Sequence, residues 1–336
     1  MKHITIKDIA KKLNLSISTV SRAFNDKYDI RKETKELILE TAKELNYHPN
    51  PIAKKLIQQR SFNIGIVVPE FINDFFPKVI IGAQEILFEK GYQVLITQAN
   101  QSIQMEKSNV KTLVDNMVDG LIISLMGDDN VEYYQELIES GLPIVCFNRT
   151  NENLKTPKVI FDDYKWSFFA TEHLIHEGYK RIYHLAGPSN LSLSKNRKLG
   201  FIDANKKHKI ELTENQIVPA GFMMEDGKNA AEELIAKNDI PDAIFAANDP
   251  AAIGAMKVFK EHGYKIPEDI AFVGFSESGL ALHVDPPLTS VEQPTTEIGR
   301  SIARLLIQQI ENPNDFKPQT LILNGKLNIR QSSKAK

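Results

Sequence analysis

The stretch that decides the fold of this chain is residues 5–25, which read Thr-Ile-Lys-Asp-Ile-Ala-Lys-Lys-Leu-Asn-Leu-Ser-Ile-Ser-Thr-Val-Ser-Arg-Ala-Phe-Asn. Thr5 followed by Asp8 fits the Ser/Thr-x-x-Asp/Glu capping box, so the stretch predicts a first helix from about Ile6 to Leu13. Asn then interrupts that helix, and the Ser16 hydroxyl can accept backbone N–H groups at the start of a second helix. We therefore expect two short helices joined by a tight turn.

Both predicted helices are amphipathic. Apolar residues fall at spacings that bury one side of each helix, namely Ile9, Ala10, Leu13, Leu15, Val20 and Phe24. The opposite face of the second helix carries one apolar residue, small polar residues and a guanidinium: Ile17, Ser18, Ser21, Arg22 and Asn25. A stripe of this composition suits the major groove of DNA better than a protein core.

Charge is unevenly distributed along the chain. Residues 1–60 hold 13 Lys and Arg against 7 Asp and Glu, whereas the rest of the chain holds 28 against 36. The net charge of −2 therefore hides a basic head on an acidic body, as expected of a phosphate-binding module on a larger carrier. With 336 residues, 42% of them hydrophobic, the chain can build two or three domains.

The single cysteine, Cys146, excludes an internal disulfide. It lies in the apolar run Pro-Ile-Val-Cys-Phe, which favours a buried, inert thiol over a nucleophile. The sequence begins without a signal-peptide pattern, and no apolar segment approaches the ~18 residues of a membrane span. We expect a soluble, cytoplasmic protein that does not contact a membrane.

Two further helical segments follow the first pair. Residues 31–46 predict a third helix, which ends before Tyr-His-Pro-Asn-Pro at 47–51. Asn50 can then cap another short helix with Pro51 at its first position. That helix has fewer than ten residues, which is too short to be stable alone in water. We therefore expect it to form only when a partner binds.

From residue 62 onward, apolar runs alternate with helical stretches. The first runs are 63–68, 93–97, 120–124 and 144–147, and the pattern restarts with 181–186, 243–247 and 270–275. Continuous apolar strands joined by helices predict parallel sheets covered on both faces. The fold class is therefore α/β with two lobes, joined by one crossover at 158–163. A ligand in such a fold binds beyond the carboxyl ends of the strands.

The chain resembles the lactose-repressor (LacI/GalR) family of transcription regulators along essentially its whole length. The match begins with Thr-Ile-Lys-Asp-Ile-Ala (5–10), Ser-Thr-Val-Ser-Arg (18–22) and Glu-Leu-Asn-Tyr-His-Pro-Asn-Pro-Ile-Ala-Lys-Lys-Leu (44–56). In the body it rests on Arg197 with Gly200-Phe201, Asn248-Asp249 with Ala252 and Gly254, Val-Gly-Phe (273–275) and Pro-Leu-Thr-Ser-Val (287–291).

The resemblance implies a homodimeric regulator, most simply a repressor, that binds a near-palindromic DNA operator. It implies a helix-turn-helix head at 1–49, a hinge helix and linker at 50–60, and a periplasmic-binding-protein-like body at 61–336 that dimerises and binds a small-molecule effector. Lobe 1 is expected at about 61–160 and 292–320, and lobe 2 at about 163–289 and 321–330. No catalytic residue, cofactor or metal ion is implied.

Residues that contact DNA can be assigned from the same resemblance. Ile17, Ser18 and Arg22 occupy the base-reading positions, with Arg22 the candidate for a bidentate contact to guanine. Phosphate-anchoring or capping roles fall to Thr5, Ser16, Thr19, Ser21, Asn25 and Thr34. The hinge helix that enters the minor groove matches Asn50, Ala53, Lys55 and Leu56, with Leu56 as the wedge between base pairs. Arg31 stands where the family commonly has a capping Ser.

The resemblance also implies an effector cleft between the lobes. Its expected lining is Asn73, Phe75, Ser124, Asn148, Arg149, Asp162, Arg197, Phe222, Asn248, Asp249 and Ser276. Amides, charged groups and aromatic rings suit a polyhydroxyl ligand, so a sugar or sugar phosphate is expected. Ser276 stands where the family usually has Asp, which argues against transferring the ligand of any relative.

Two other classes of protein remain as alternatives. One is a two-lobed transport binding protein, which would have no use for a basic head. The other is an α/β enzyme, but the chain has no G-x-G-x-x-G after a strand, no P-loop and no G-x-S-x-G. Asp162-Asp163 favours a hinge or ligand contact over acid–base chemistry. His173 and His176 lie three residues apart without a third ligand in register, which favours a solvated helix face over zinc.

Overall fold

The computed structural model describes residues 4–24, 30–47 and 60–334. The chain divides into two compact units, Met1–Ser61 and Phe62–Lys336, which we call the head and the body. Among the described residues, no helix combines the length and apolar character needed to cross a membrane.

Three described helices form the head: α1 (Ile6–Leu13), α2 (Ile17–Phe24) and α3 (Lys32–Glu44). The predicted starts of α1 and α2 are confirmed, because the Thr5 backbone N–H donates to Asp8 Oδ2 at 2.8 Å and Thr19 N–H donates to Ser16 Oγ at 3.1 Å. Arg31 precedes α3 without a side-chain capping bond.

A small apolar core holds these helices together. Its buried members are Ile9, Ala10, Val20, Ala23, Ile38 and Ala42. Leu13, Leu15 and Phe24 pack against them, and the Phe24 ring lies 5.3 Å from that of Tyr47. The apolar face predicted from the spacing is therefore the face that packs.

The first lobe of the body is built on a parallel six-stranded sheet of order β11-β5-β4-β3-β1-β2. Its strands are β1 (Asn63–Val68), β2 (Gln93–Gln98), β3 (Gly120–Ile123), β4 (Ile144–Phe147), β5 (Lys158–Phe161) and β11 (Thr320–Leu323). Its helices are α4 (Phe75–Glu89), α5 (Ile103–Asp115), α6 (Val131–Glu139) and α11 (Thr295–Glu311). Cys146 is buried in β4, and burial raises the pKa of its thiol to about 12, as expected for an inert cysteine.

The second lobe repeats this plan with sheet order β12-β10-β9-β8-β6-β7. Its strands are β6 (Ile182–Ala186), β7 (Ile217–Pro219), β8 (Ala243–Ala246), β9 (Ala271–Phe275), β10 (Thr289–Glu292) and β12 (Lys326–Asn328). Its helices are α7 (Asp163–His176), α8 (Ser192–Lys207), α9 (Met224–Ala236) and α10 (Asp249–Glu261). The β10–β12 pair is antiparallel and the other described pairs are parallel.

The chain passes between the lobes after β5, after β10 and after β11. β11 pairs with β5 in the first sheet, with Leu321 opposite Val159, whereas β12 pairs with β10 in the second sheet. The expected assignment of 321–330 to lobe 2 is therefore corrected: residues 320–323 belong to lobe 1, and lobe 2 resumes at β12. The last two strands return separately because each completes the open edge of a different sheet.

Helices α7 and α8 lie side by side on one face of the second sheet. A side chain at Gly200 would bring a Cβ within 2.1 Å of Ser167 Oγ and 2.4 Å of the Tyr164 carbonyl oxygen. Only glycine therefore permits this close approach. The contact matters because the first half of α8 lines the cleft between the lobes, and Asp163 at the start of α7 pairs there with Arg197.

Candidate functional site

A small cavity lies where the carboxyl ends of the strands of both lobes face each other. Its lining is Glu70, Asn73, Phe75, Phe76, Asn148, Arg149, Leu193, Arg197, Phe222, Asn248, Ser276 and Gln293. Eight of the eleven residues expected from the sequence are thus brought together, with Ser124, Asp162 and Asp249 outside the lining.

Arg197 is held in place from three sides. Its Nη2 lies 2.7 Å and its Nε 2.8 Å from Asp163 Oδ1, and its Nη1 donates to the Ala247 carbonyl oxygen. Its Cζ lies 3.8 Å from the centroid of the Phe275 ring. These bonds engage three of the five N–H groups of the guanidinium, so two can serve a ligand.

Arg149 is the second guanidinium in the cleft and is only 5% exposed. Its Nη1 donates to Gln101 Oε1 at 3.0 Å. Burial lowers the pKa of Arg149 to about 10, and the carboxylates of Glu70 and Glu106 oppose that shift. The side chain stays charged near neutral pH because these two acids stabilise it.

Glu70 supplies the carboxylate on this wall of the cleft. Burial raises the pKa of Glu70, while backbone N–H groups and the Arg149 charge act in the opposite direction. One backbone donor is Asn73 N–H, at 2.8 Å from Glu70 Oε2, and Asn73 Oδ1 accepts from Phe75 N–H at 3.2 Å. Glu70 was not predicted from the sequence, although its place two residues beyond the carboxyl end of β1 was a usable signal.

Asn248 fixes the opposite wall. Its Oδ1 accepts from Ala251 N–H at 3.0 Å and so caps α10, and its Nδ2 donates to the Phe222 carbonyl oxygen at 2.7 Å. Gly187 leaves room for the Phe222 ring, since a Cβ there would lie 2.6 Å from the ring. Phe222 is thus held as an aromatic wall of the cleft.

Asp249 lies beneath the cleft rather than in its lining, which corrects the expectation. It is fully buried, its Oδ1 accepts from Ser290 Oγ at 2.6 Å, and its Oδ2 accepts from Ser278 N–H. Burial raises the pKa of Asp249 to about 7. The carboxyl group holds the loop that follows β9, in which Ser276 adopts a φ of +99° and faces the cavity.

Ser124 and Asp162 are the other two expected lining residues that lie elsewhere. Ser124 is completely buried at the end of β3, where its N–H donates to the Val67 carbonyl oxygen at 3.0 Å. Asp162 caps α7, because its Oδ1 accepts from Lys165 N–H at 3.1 Å. The Asp162-Asp163 pair therefore divides into a helix cap and the partner of Arg197.

Leu193 and Gln293 were also missed by the sequence analysis. Gln293 follows β10 at a crossover, is 4% exposed, and its Nε2 has no hydrogen-bond partner among the described residues. Because β10 itself was not predicted, nothing in the sequence marked the residue that follows it as part of the cleft. Gln293 adds an amide donor to the lining.

The outer face of α2 is the second candidate site. Ile17, Ser18 and Arg22 are exposed, with Ile17 at 47%. Arg22 Nε donates to the Ser18 carbonyl oxygen at 3.3 Å, which holds the side chain along the helix. Ser21 is partly buried, so the exposed polar face of α2 is narrower at this residue than the spacing predicted.

Several residues expected to anchor phosphates take part in local capping. Ser16 Oγ lies 2.7 Å from Thr19 Oγ1 and 2.8 Å from Ser18 Oγ, and Thr5 Oγ1 donates to Asp8 Oδ2 at 2.7 Å. Thr34 is partly buried in the first turn of α3. The remaining DNA-contact predictions lie outside the described residues: Asn25, Asn50, Ala53, Lys55 and Leu56, together with the hinge helix.

Family comparisons cover both units. Residues 61–329 match the family model "Periplasmic binding proteins and sugar binding domain of LacI family", and residues 5–50 match "Bacterial regulatory proteins, lacI family". The chain belongs to the LacI family. It is therefore a DNA-binding transcription regulator controlled by a small molecule, as the resemblance implied. The LacI-type match at 5–50 favours this function over a transport binding protein.

Individual LacI-family proteins align over nearly the whole chain. The ribose operon repressor of Halalkalibacterium halodurans is 33% identical over 308 residues, covering 91% of this chain and 90% of that protein. The solved transcriptional regulator CelR–cellobiose complex is 30% identical with a TM-score of 0.75, covering 98% of this chain and 100% of that one. A Lac repressor dimer bound to operator shares the fold, with a TM-score of 0.85 at 23% identity, covering 99% and 100% of the two chains.

Proposed function

We propose that this chain is a homodimeric repressor whose operator affinity is set by a neutral monosaccharide bound between the two lobes of the body. The observation that carries the choice of effector is that acidic side chains offset the charge of both cleft guanidiniums. The relatives support the repressor role and the sugar class, since one is a ribose operon repressor and another is a cellobiose complex.

The charge balance of the cleft favours a neutral sugar over a sugar phosphate. Arg197 is neutralised by Asp163, and Arg149 lies in the field of Glu70 and Glu106. A phosphate carries close to two negative charges and selects sites with unpaired positive charge. Asp163, which pairs with Arg197 from outside the lining, and Glu70 in the lining together balance the two arginines, so a phosphate would leave its charge uncompensated.

The remaining groups of the lining suit sugar hydroxyls. Asn73, Asn148, Asn248 and Gln293 offer amide donors and acceptors, and Glu70 is an acceptor for hydroxyl protons. Phe222 provides an apolar face against which the C–H side of a sugar ring can pack. The small size of the cavity favours one sugar ring over a longer saccharide.

For the head, we propose that α2 lies in the major groove of the operator. Arg22 donates to a guanine, a contact worth about 1–3 kcal/mol of base discrimination, and Ile17 contacts a thymine methyl. Ser18 adds a hydroxyl at a base edge. Phosphate contacts come from backbone groups and polar side chains at Thr5, Ser16, Thr19, Ser21, Asn25 and Thr34. The hinge segment with Asn50, Ala53, Lys55 and Leu56 enters the minor groove.

Exposed apolar side chains support the homodimer. Ile81 and Phe88 on α4 are 55% and 76% exposed, and Leu95 and Ile96 are exposed on the neighbouring edge strand β2. Large apolar side chains exposed on adjoining elements mark an interaction site, and an edge strand covered by a partner is protected from other pairing. A cytoplasmic location follows from access to the chromosome, and no catalytic activity forms part of the proposal.

Calorimetry with D-ribose, D-glucose and D-ribose 5-phosphate tests the effector class, and a gel shift on operator DNA selected from genomic fragments tests the regulator. We expect a neutral sugar to bind with one site per chain and to change operator affinity. Binding of the phosphorylated sugar alone would overturn the neutral-sugar assignment. A monomer without preference among DNA fragments would overturn the repressor.

A further inference from the structure

The far ends of α7 and α8 bring together three metal-binding side chains that have no place in the cleft. Glu172 and His176 lie one turn apart on α7, and His208 directly follows α8. One potential ligand atom from each lies within 4.8 Å of the other two. We propose that Glu172, His176 and His208 form a binding site for a transition-metal ion, with Zn²⁺ as the occupant.

The sequence alone favoured a solvated helix face here, because His173 and His176 had no third ligand in register. The structure separates these two histidines. His173 lies with Nε2 2.7 Å from Ser333 Oγ, and burial lowers its pKa. His176 instead lies beside His208, with ring centroids 5.2 Å apart at 76°. The third ligand comes from another helix, 32 residues further along the chain.

The donor set is one that zinc commonly uses. Two imidazoles and one carboxylate form three-ligand zinc sites in proteins, with water in the fourth position. Imidazole also selects zinc, copper and nickel over the hard cations magnesium and calcium. His208 Nε2 already lies 2.8 Å from Glu172 Oε1. Zinc bonds of about 2.0–2.1 Å place tetrahedral ligands roughly 3.3 Å apart, so the group needs only side-chain adjustment.

The backbone around the site favours a cation. α7 and α8 are parallel, since Asp163 pairs with Arg197 near their first halves and Glu172 meets His208 at their ends. Each helix has at least 14 residues, and both C-terminal ends lie at the site. Each end carries a partial negative charge of about half an electron, which stabilises a bound cation.

Lys207 is the group that opposes metal binding. Its Nζ lies 2.7 Å from Glu172 Oε1, so it competes for the carboxylate and repels a dication. Its side chain is 59% exposed, so it can turn into solvent when the metal binds. This competition gives the site a distinctive signature, because removal of the Lys207 charge must tighten binding.

A bound ion would join the distal ends of two helices, one of which, α8, lines the cleft with its first half. The Asp163–Arg197 pair and the Gly200 contact fix the near half of this helix pair. At a rise of 1.5 Å per residue, Glu172 lies about 14 Å along α7 from Asp163. The metal would fix this far half of the pair. Its role is therefore a structural cross-link in the second lobe, independent of the proposed effector.

Calorimetric titration of the tag-free, chelator-treated full chain with ZnSO₄ tests the site. We expect one equivalent bound per chain at this site, weakened about tenfold or more in His176→Ala, His208→Ala and Glu172→Gln. His283→Ala removes an exposed histidine elsewhere and should leave that equivalent unchanged. Lys207→Ala should tighten binding several-fold, which nonspecific binding to surface histidines would not show.

Thermal unfolding in EDTA establishes that each variant is folded, and added Zn²⁺ should raise the Tm of the wild type but not of His176→Ala. If His208→Ala disturbs the fold, Glu172→Gln and Lys207→Ala still decide the question, since both alter exposed or partly exposed side chains. Equal stoichiometry and affinity in the wild type, His176→Ala and Glu172→Gln would overturn the proposal.

Discussion

The guanidinium of Arg149 lies 5.6 Å from the centroid of the Phe222 ring, and this contact joins the two lobes across the cleft. Arg149 follows β4 in the first lobe, whereas Phe222 precedes α9 in the second. A cation over an aromatic face contributes about 0.5–2 kcal/mol, depending on desolvation. A ligand that enters the cleft must therefore either replace this contact or complete it.

The first prediction concerns the aromatic wall. Phe222→Ala should weaken sugar binding about tenfold, or ~1.4 kcal/mol, because it removes both the apolar face and the contact with Arg149. Phe222→Leu keeps much of the volume and should have an intermediate effect. Isothermal titration calorimetry measures both affinities.

Phe169→Ala is the matched control for that measurement. Phe169 is an exposed aromatic residue on α7 that does not line the cavity, so its removal should leave sugar affinity unchanged. An affinity of Phe222→Ala equal to that of the wild type would exclude Phe222 from the site.

A second contact between the lobes is a single hydrogen bond, and we expect closure of the two lobes to depend on it. Asp74 Oδ2 accepts from the Gly279 N–H at 2.8 Å, and it also pairs with Lys78 Nζ at 2.7 Å. Asp74→Ala should favour an open body and weaken sugar binding by a factor that corresponds to about 0.5–1.5 kcal/mol. Small-angle X-ray scattering reports the opening through the radius of gyration.

Lys78→Ala separates the two roles of Asp74. It removes the exposed ion pair within α4, worth about 0.3–0.5 kcal/mol, but keeps the bond between the lobes. Its scattering profile should match that of the wild type. If Asp74→Ala and Lys78→Ala behave alike, closure does not depend on the Gly279 contact.

The parts of the fold that could be predicted from sequence are those set by local chemistry. The Thr5–Asp8 cap and the apolar run of β1 each specify their element within a few residues. The edge strands β7, β11 and β12 were not predicted, because a short edge strand is defined by its partner, and the partner of β11 lies some 160 residues earlier in the chain. Such pairing leaves little periodic signal in the strand itself.

The same distinction applies to the cleft. Arg197 and Asn248 lie in motifs that carry the family resemblance, so their place in the lining could be expected. Asp249 follows Asn248 directly, yet it points beneath the cleft, because consecutive residues at the start of a helix face different directions. Glu70 and Gln293 lie outside the motifs, and only the meeting of two lobes shows that they belong to the site.

For the head, Arg22 should determine operator preference. Arg22→Ala should weaken binding to the selected operator by about 1–3 kcal/mol, because one bidentate base contact is lost, with a smaller effect on a scrambled duplex. Arg22→Lys keeps the charge but not the paired donors, so it should preserve scrambled-duplex affinity and still lose preference. Fluorescence anisotropy at fixed salt measures the affinities of the wild type and both variants for the two duplexes, and equal losses on both duplexes would assign Arg22 to a phosphate.

The last prediction concerns His184, which is fully buried between the rings of Phe201 and Phe245. Its Nδ1–H donates to the Phe245 carbonyl oxygen at 2.9 Å, and burial lowers its pKa to about 4. In the unfolded chain a histidine titrates near pH 6.5. Between these values the unfolded chain binds a proton that the folded chain does not, so the free energy of unfolding falls as the pH is lowered.

His184→Phe removes this term and keeps the stacking. The fall in the free energy of unfolding between pH 7.5 and pH 5.0 should therefore be smaller by about 2 kcal/mol than in the wild type. Asp249 acts in the opposite direction over part of this window, since its raised pKa favours the folded state at lower pH, but both proteins share that term. Urea titrations at the two pH values measure the difference, with the exposed His283→Phe as control. Parallel pH profiles for His184→Phe and the wild type would show that the buried imidazole does not limit acid stability.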